Sequence, residues 1–268
     1  MPMIKKILVP LDGSRLAEQV LPAAARIAAR AQGSLVLFHA VTPAEWFSMS
    51  AQDYVARERR QSAEYLAKLA EKLAEKGIGV QERVVTGEPS RAIVASAARE
   101  KADLIALSTH GRSGVREWAF GSVAERVLRT TSRPVLVYRG KAPAAGDVRR
   151  VLVALDEQDR TLEVVPAAAD LAEAMKADLI LFHVGKRIPA TVEKARAAVG
   201  RRNVSVHVRL MGGDPAAAIL AAVEEEKVDV LAMTTSGKTK HDKLFFGTVA
   251  EEVLRKADCP LLVTHAPA

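Results

Sequence analysis

The sequence predicts an α/β fold made of two tandem, doubly wound parallel sheets of five strands each, arranged as an α/β/α sandwich. Short continuous apolar runs alternate along the chain with amphipathic helical patterns, which is typical of strands buried on both faces and joined by crossover helices. The same series of runs occurs twice in the 268 residues, and each series contains one loop bracketed by glycines. A chain of this length fits two ordinary domains.

In the first copy the elements follow one another in a regular order. The predicted strands are Ile7 to Pro10, Leu35 to His39, Val80 to Val85, Leu104 to Leu107 and Val135 to Tyr138. The predicted helices are Leu16 to Arg30, Val55 to Lys76, Ser90 to Glu100 and Val123 to Thr130. The third strand is more polar than the others and is expected near a sheet edge. With a strand order of 3-2-1-4-5, the order reverses between the first and fourth strands, and ligands bind at such a switch point.

The second copy is recognised by internal repetition. The segment from Ile7 to Asp12 matches Val151 to Asp156 at a shift of about 144 residues, whereas from Gly87 onward the shift is about 126. Roughly 18 residues are therefore missing between the second strand and the third helix of the second copy. The small, polar segment from Lys141 to Asp147 is interpreted as a linker. It separates predicted domains over residues 1–140 and 148–268.

Composition narrows the classes of function. Aromatic residues make up 4% of the chain, which disfavours surfaces that stack nucleic-acid bases on aromatic rings. The net charge is +7, but acidic and basic residues are interspersed and no nucleic-acid-binding motif is present, so no nucleic-acid partner is expected. The one cysteine, Cys259, fits a reducing compartment. Because no apolar run approaches the roughly 20 residues of a membrane span, a soluble cytoplasmic protein without a membrane partner is predicted.

An aspartate follows the first strand of each copy, at the predicted switch point. Asp12 and Asp156 are candidates for a hydrogen bond to a ribose hydroxyl or for contact with a cation bound to phosphate. The alternative is a helix cap or an Asx turn after a strand. Ser14 and Asp159 are better placed to cap the helices that follow.

The glycine-bracketed loop lies between the fourth strand and the last helix of each copy. Glycine lets the backbone approach a ligand closely, and a hydroxyl after the last glycine lies beside the N–H groups of a helix N-terminus. The residues are Gly111, Gly121 and Ser122 in the first copy and Gly237, Gly247 and Thr248 in the second. They predict an anion-binding loop. The structural alternative is a capping box, since Ser122-x-x-Glu125 and Thr248-x-x-Glu251 have that pattern.

Two histidines, His39 and His183, end the second strands of their copies. A histidine in this position is more often packed and hydrogen-bonded than catalytic. In the glycine-bracketed loop, His110 of the first copy is replaced by Ser236 in the second, so no base common to both copies is expected there. The sequence therefore assigns neither catalytic residues nor metal ligands.

With these motifs identified, the chain resembles a tandem member of the universal stress protein family over both halves. ATP-binding members of that family carry Gly-x2-Gly-x9-Gly-Ser/Thr after the fourth strand and an aspartate after the first. Here Ser108 and Thr234 stand at the first glycine of the pattern. Thr234 thus brings a β-branched side chain to the place where the backbone would approach ribose or phosphate. The resemblance implies an adenine nucleotide alpha hydrolase-like fold.

The resemblance also implies a set of nucleotide-binding residues in each copy. In the first copy these are Pro10, Leu11, Asp12, Ala40, Leu107, Ser108, Gly111, Gly121, Ser122 and Val123. In the second copy they are Ala154, Leu155, Asp156, Val184, Met233, Thr234, Gly237, Gly247, Thr248 and Val249. From their charge and place in the intervening loops, Arg112, Arg116, Lys238 and Lys240 are candidates for charge-assisted contacts with phosphate; the alternative is that they are solvated. The implied cofactor and partner is an adenine nucleotide, ATP, with or without Mg²⁺.

Three functions stay open at this point. The leading hypothesis is an ATP-binding stress or signalling module with little or no turnover, because the phosphate loop has no accompanying Walker A lysine or catalytic triad. The others are a weak Mg²⁺-dependent ATPase or phosphotransferase that uses Asp12 or Asp156, and a module that serves only for dimerisation. The apolar last strand of each copy needs a partner, and the resemblance implies that these strands pair two such domains. The two domains are therefore expected to form an intramolecular pseudo-dimer, with a homodimer of chains as a further alternative.

Overall fold

A computed structural model describes residues 4–43, 51–108, 121–138, 147–236 and 247–266. The strands are β1 (Lys6–Pro10), β2 (Ser34–Val41), β3 (Gly79–Thr86), β4 (Leu104–Ser108), β5 (Val135–Tyr138), β6 (Arg150–Leu155), β7 (Asp178–Val184), β8 (Val206–Met211), β9 (Val230–Ser236) and β10 (Leu261–Ala266). The α-helices are α1 (Arg15–Glu18), α2 (Leu21–Ala31), α3 (Ala51–Ala74), α4 (Pro89–Arg99), α5 (Ser122–Thr130), α6 (Val165–Met175), α7 (Ala190–Val199), α8 (Pro215–Glu225) and α9 (Thr248–Lys256). A 3-10 helix, Asp159–Val164, precedes α6.

These ten strands form one sheet in the order β3-β2-β1-β4-β5-β10-β9-β6-β7-β8. Within each half the neighbouring strands are parallel and follow the predicted order, so the predicted fold class is confirmed. The two five-stranded sheets join where β5 and β10 pair antiparallel, with Leu136 opposite Leu262. Because the halves run in opposite directions, the carboxyl ends of their parallel strands lie at opposite edges of the combined sheet.

Helices cover both faces of this sheet. One face carries α1, α2, α3, α6 and α7, and the other carries α4, α5, α8 and α9. Alternate strand residues face the two layers, so that Ile7 and Val9 pack on the first and Leu8 packs on the second. Both apolar clusters contain residues of both halves, so the core continues across the junction between β5 and β10.

The segment after β1 differs from its prediction. The single helix predicted from Leu16 to Arg30 is wrong, because the structure divides it into α1 and α2. Pro22 lies in the first turn of α2, where its missing N–H is tolerated, whereas in the interior of one long helix it would interrupt the hydrogen bonds. The Ser14 hydroxyl accepts a hydrogen bond from Ala17 N–H at 3.1 Å and caps α1, which confirms the prediction for Ser14.

The equivalent segment of the second half is built differently. Asp159 opens the 3-10 helix instead of capping a helix, and its carboxylate pairs with Lys194 Nζ at 2.7 Å. The predicted Asp159 cap is therefore wrong. The residues missing from the second copy shorten its second helix, since α3 has 24 residues and α7 has 10.

A carboxylate ties the amino ends of the first and fourth strands together in each half. Asp103 Oδ2 accepts hydrogen bonds from the N–H groups of Lys5 and Lys6 at 2.8 and 2.9 Å. In the second half, Asp229 accepts the equivalent pair at 2.7 and 3.0 Å. This repeated contact was not predicted from the sequence, and it fixes the two strands that flank each switch point.

The two halves also pack through helices, because α2 contacts α6. Beside that contact, Asp147 Oδ1 lies 2.6 Å from Arg26 Nη1 and 3.6 Å from Arg30 Nη2. The hydrogen bond from Arg26 holds the pKa of Asp147 below its usual value.

Most of the predicted linker lies outside the described residues, and the boundaries 1–140 and 148–268 stay a prediction. In the described parts of the chain, no helix is long and apolar enough to span a membrane.

Candidate functional site

A cavity of about 370 Å³ lies at the switch point of each half, where β1 and β4, or β6 and β9, end. The N-terminal cavity is lined by the predicted residues Pro10, Leu11, Asp12, Ala40, Leu107, Ser108, Gly121, Ser122 and Val123. The C-terminal cavity is lined by the predicted residues Ala154, Leu155, Asp156, Val184, Met233, Thr234, Gly247, Thr248 and Val249. Gly111, Arg112, Gly237 and Lys238 lie outside the described residues.

Residues that were not assigned from the sequence complete the walls. Six pairs occupy equivalent positions in the two cavities, namely Ala17 and Thr161, Phe38 and Phe182, His39 and His183, Pro89 and Pro215, Ile93 and Ile219, and Ala124 and Ala250. Thr42 lines only the N-terminal cavity and Arg160 only the C-terminal one. The repeat was the available signal for the pairs, because they follow the shifts of about 144 and 126 residues. Their apolar members could not be distinguished from ordinary core residues.

The last helix of each half, α5 or α9, begins at its cavity. The N-cap residues are Gly121 and Gly247, and within the described residues no side chain caps either helix. The capping-box alternative is therefore wrong, because Ser122 and Thr248 are the first helical residues and not N-caps. The glutamates of the pattern are engaged along the helix instead: Glu125 pairs with Arg129, and Glu251 pairs with Arg255 at 2.8 Å.

A second helix N-terminus reaches each cavity but is already capped by a carboxylate. Glu88 caps α4 by accepting from the N–H groups of Ser90 and Arg91 at 3.2 and 2.9 Å. The Ser90 hydroxyl, which donates to Glu88, keeps the pKa of this carboxyl below its usual value. In the second half, Asp214 caps α8 through Ala217 N–H at 3.0 Å. An anion in either cavity is therefore favoured at α5 or α9 and disfavoured at α4 or α8.

The two N-cap glycines have different conformations. Gly121 has a φ of −65° and a ψ of 153°, which most residues can adopt. Gly247 has a φ of +78° and a ψ of 149°, a region that is essentially restricted to glycine. The glycine is thus required by the backbone in the second half but not in the first.

The aspartates after β1 and β6 form Asx turns and also line the cavities. Asp12 Oδ1 accepts from Ser14 N–H at 2.9 Å, and Asp156 Oδ1 accepts from Gln158 N–H at 2.7 Å. The structural alternative for these residues is therefore confirmed, and it is compatible with a ligand contact. One oxygen fixes the carboxylate in position at the cavity wall.

The histidines are packed into the walls, as predicted. His183 is buried, and its Nδ1 donates to Leu155 O at 3.0 Å. A Cβ atom at Gly185 would lie 2.7 Å from His183 Nε2, so the ring closely approaches the backbone there. The ring of His39 meets Tyr65 edge-on, with the ring centroids 6.4 Å apart. Both imidazoles are held by their surroundings as structural groups.

Thr234 is held at the end of β9 by hydrogen bonds. Its Oγ1 donates to Thr161 O of the 3-10 helix at 3.3 Å and lies 3.1 Å from Thr264 Oγ1. The hydroxyl is thereby turned toward neighbouring protein groups. Thr234 ties the segment that follows β6 to the strand that precedes the glycine-bracketed segment of the second half.

Comparison with known proteins places the chain in a family. The model of the Universal stress protein family matches residues 3–139 and 185–265. The chain belongs to this family. The two matched segments fall in the two halves of the sheet, which agrees with a tandem repeat.

Relatives of this family match the chain over one half or over its whole length. Universal stress protein YxiE of Bacillus subtilis is 30% identical over 148 residues, which cover 51% of this chain and 100% of that protein. A universal stress protein of Mycolicibacterium smegmatis is 23% identical and covers 97% of this chain and 96% of its own length. The crystal structure of a universal stress protein from Archaeoglobus fulgidus has a TM-score of 0.79 and 24% identity, covering 99% of this chain and 100% of that one. The last similarity supports the fold.

Proposed function

We propose that the chain is an ATP-binding universal stress protein with two nucleotide sites, acting as a nucleotide-dependent stress-response or signalling module with little or no turnover. The observation that carries the proposal is the repeated cavity whose wall includes a helix N-terminus that no described side chain caps. Exposed N–H groups and the helix dipole favour a phosphate there. ATP is the ligand that the family resemblance implies.

The remaining walls suit the nucleoside. Phe38, Ile93 and Leu107 give the N-terminal cavity an apolar side, and Phe182, Ile219 and Met233 do the same for the C-terminal cavity. A volume of about 370 Å³ is within the range of small-molecule sites, roughly 300 to 1,000 Å³. The capped ends of α4 and α8 disfavour a second anion, so the phosphates would lie at α5 or α9 and the base near β2 or β7.

Asp12 and Asp156 would bind the ribose or a magnesium ion. Mg²⁺ in nucleotide sites is commonly held by one or two carboxylates together with the phosphates of the nucleotide, and each cavity provides one carboxylate already fixed by its Asx turn. When bound, the ion would neutralise phosphate charge. The carboxylate would orient the nucleotide without supplying a nucleophile.

Isothermal titration with ATP tests the proposal. We expect saturable binding of two ATP molecules per chain. The absence of any saturable signal at millimolar ATP would contradict it and would favour a module that serves only for dimerisation. An ATPase or phosphotransferase instead requires steady, Mg²⁺-dependent ADP release that is lost in Asp12→Ala and Asp156→Ala, so a negligible release rate with intact binding supports the proposal.

The assembly is proposed on the same basis. The antiparallel pairing of β5 with β10 supports an intramolecular pseudo-dimer of the two domains, with a pseudo-twofold axis at this junction. This pairing occupies the apolar last strand of each half. A homodimer of chains would therefore need a different surface. The buried free Cys259 fits a reducing compartment, which supports a cytoplasmic location. The proposal also includes no nucleic-acid or membrane partner.

A further inference from the structure

We propose that Arg160 binds nucleotide phosphate in the C-terminal cavity, by a side-chain contact that has no counterpart among the described residues of the N-terminal cavity. The inference rests on the proposed nucleotide binding and deepens it for one of the two sites. It makes the sites chemically different, although they have the same fold and volume.

Arg160 lies in the 3-10 helix and lines the C-terminal cavity. It is exposed, and among the described residues no carboxylate forms an ion pair with it. Its neighbour Asp159 is instead neutralised by Lys194 at 2.7 Å. A guanidinium without an ion-pair partner in the described part of the chain, at a cavity that favours an anion, is suited to a charge-assisted hydrogen bond with phosphate.

The position of the 3-10 helix places Arg160 on the phosphate side of the cavity. In the order β10-β9-β6-β7-β8, the strands β9 and β7 lie on opposite sides of β6. The 3-10 helix packs on β9 and β10, and Thr161 O accepts the hydrogen bond from Thr234 at the end of β9. Along the chain, this strand precedes α9, whose start is the proposed phosphate position. Val184, expected near the base, ends β7 on the other side.

Hydrogen bonds also hold the segment that carries Arg160. The Thr161 hydroxyl donates to Gln158 O at 2.8 Å, and the Thr191 hydroxyl of α7 donates to Asp156 O at 2.6 Å. Together with the bond from Thr234, these contacts fix the 3-10 helix to α7 and β9. Only the Arg160 side chain then needs to become ordered when phosphate binds, which limits the entropic cost.

The described residues of the first half provide no equivalent cation at the cavity. At a shift of 144 residues, Arg160 and Thr161 correspond to Leu16 and Ala17, which belong to the short helix α1. Within the described residues, no lysine or arginine lines the N-terminal cavity. Among the described residues, that site therefore offers phosphate the backbone N–H groups and the dipole of α5, whereas the second site adds a guanidinium.

Methyl NMR of the full chain can follow the two cavities separately. Met233 lines the C-terminal cavity, and a Leu107→Met background, which is also the reference for every affinity, supplies an equivalent reporter in the N-terminal one. The two signals are assigned from the spectra of Met233→Leu and of the protein with Leu107 unchanged. In this background, Arg160→Leu is titrated with ATP. The matched control is Arg201→Leu, which removes an equal charge from the turn between α7 and β8, at the opposite edge of the sheet.

We expect Arg160→Leu to weaken ATP binding at the Met233 reporter at least about tenfold, as befits a hydrogen bond between charged groups. Binding at the Leu107→Met reporter should change less than about twofold, and Arg201→Leu should leave both sites unchanged within the same margin. Unchanged ATP affinity at Met233 in Arg160→Leu would overturn the inference and leave the proposed function intact. A Met233 signal that never responds, beside a responding first site, would also overturn it. If neither reporter responds, the proposed function itself fails.

Discussion

The N-terminal and C-terminal cavities have the same framework but differ in the parts that would touch phosphate. Both have an Asx-turn aspartate after the first strand and a glycine N-cap at the start of the last helix, where no side chain of the described residues caps the helix. They differ in the segment after that aspartate, which is a capped α-helix in the first half and a 3-10 helix carrying Arg160 in the second. The comparison indicates that the geometry dictated by the sheet is common to both copies, while the side chains around the phosphate position have diverged.

The largest loss of stability is expected from a substitution in the turn between α2 and β2. A Cβ atom at Gly33 would lie 2.6 Å from Lys5 O, a backbone atom that cannot move aside. The second half has Ala177 at the equivalent position. We expect Gly33→Ala to lower the free energy of unfolding by about 3 kcal/mol, since overpacking against backbone is costly.

Urea denaturation measures this effect, with Gly79→Ala as the control. A Cβ atom at Gly79 would meet only Ser34 Cβ, at 3.5 Å, so that variant should be close to neutral. Equal stabilities for Gly33→Ala and Gly79→Ala would show that the turn of the first half is no tighter than an ordinary strand contact.

The next largest effect concerns the N-cap glycines. Gly121→Ala and Gly247→Ala both place alanine at an N-cap, but only Gly247 has a positive φ. The variant at Gly247 should therefore be less stable than the variant at Gly121 by about 2 kcal/mol, the cost of forcing a side chain into a region that favours glycine. Thermal and urea unfolding of the two variants test the difference, and equal stabilities would argue against distinct loop conformations.

A smaller effect is expected on the rate at which the Cys259 thiol is modified. This residue lies in the second half of the chain. Burial raises the pKa of this thiol to about 11, so it remains protonated in the folded protein at pH 8. Its thiolate population is then about a hundredfold below that of a thiol with the usual pKa of 9.0. We expect modification by a disulfide reagent to require opening of the second half, with Gly247→Ala accelerating it and Gly121→Ala having little effect. Equal acceleration by both variants would indicate that the halves open as one unit.

Much of the fold could be predicted, because the apolar runs indicate the strands and helices and the glycines indicate the loops between them. The predicted bounds of β5, Val135 to Tyr138, agree with the structure at both ends, and the polar third strand β3 lies at an edge of the sheet. The break between α1 and α2 was missed, although Pro22 was the signal for it. The contacts of Asp103 with the N–H groups of Lys5 and Lys6 could not be predicted, because they join residues nearly a hundred positions apart.

The cavities were predictable where the residues follow strand ends and helix starts. Phe38 and Phe182 were missed because a large apolar residue in a strand gives the same pattern whether it faces a core or a cavity. The two N-cap glycines have the same letter in the sequence, but only the fold distinguishes their backbone angles. Thr234 was expected to bring a β-branched side chain to the place where the backbone would approach the ligand. The hydrogen bonds of its hydroxyl with Thr161 and Thr264 could not be predicted from the sequence.

The central claim, that the starts of α5 and α9 hold the phosphates of ATP, is tested most directly by Ser122→Asp and Thr248→Asp. A carboxylate in the first turn suits the helix dipole and should not lower the Tm, but it repels phosphate from the same N–H groups. We expect isothermal titration to give two ATP per chain for the unmodified protein, one for each single variant and none for the double variant, while Ser122→Ala retains two. A double variant that still binds two ATP with unchanged affinity would contradict the account.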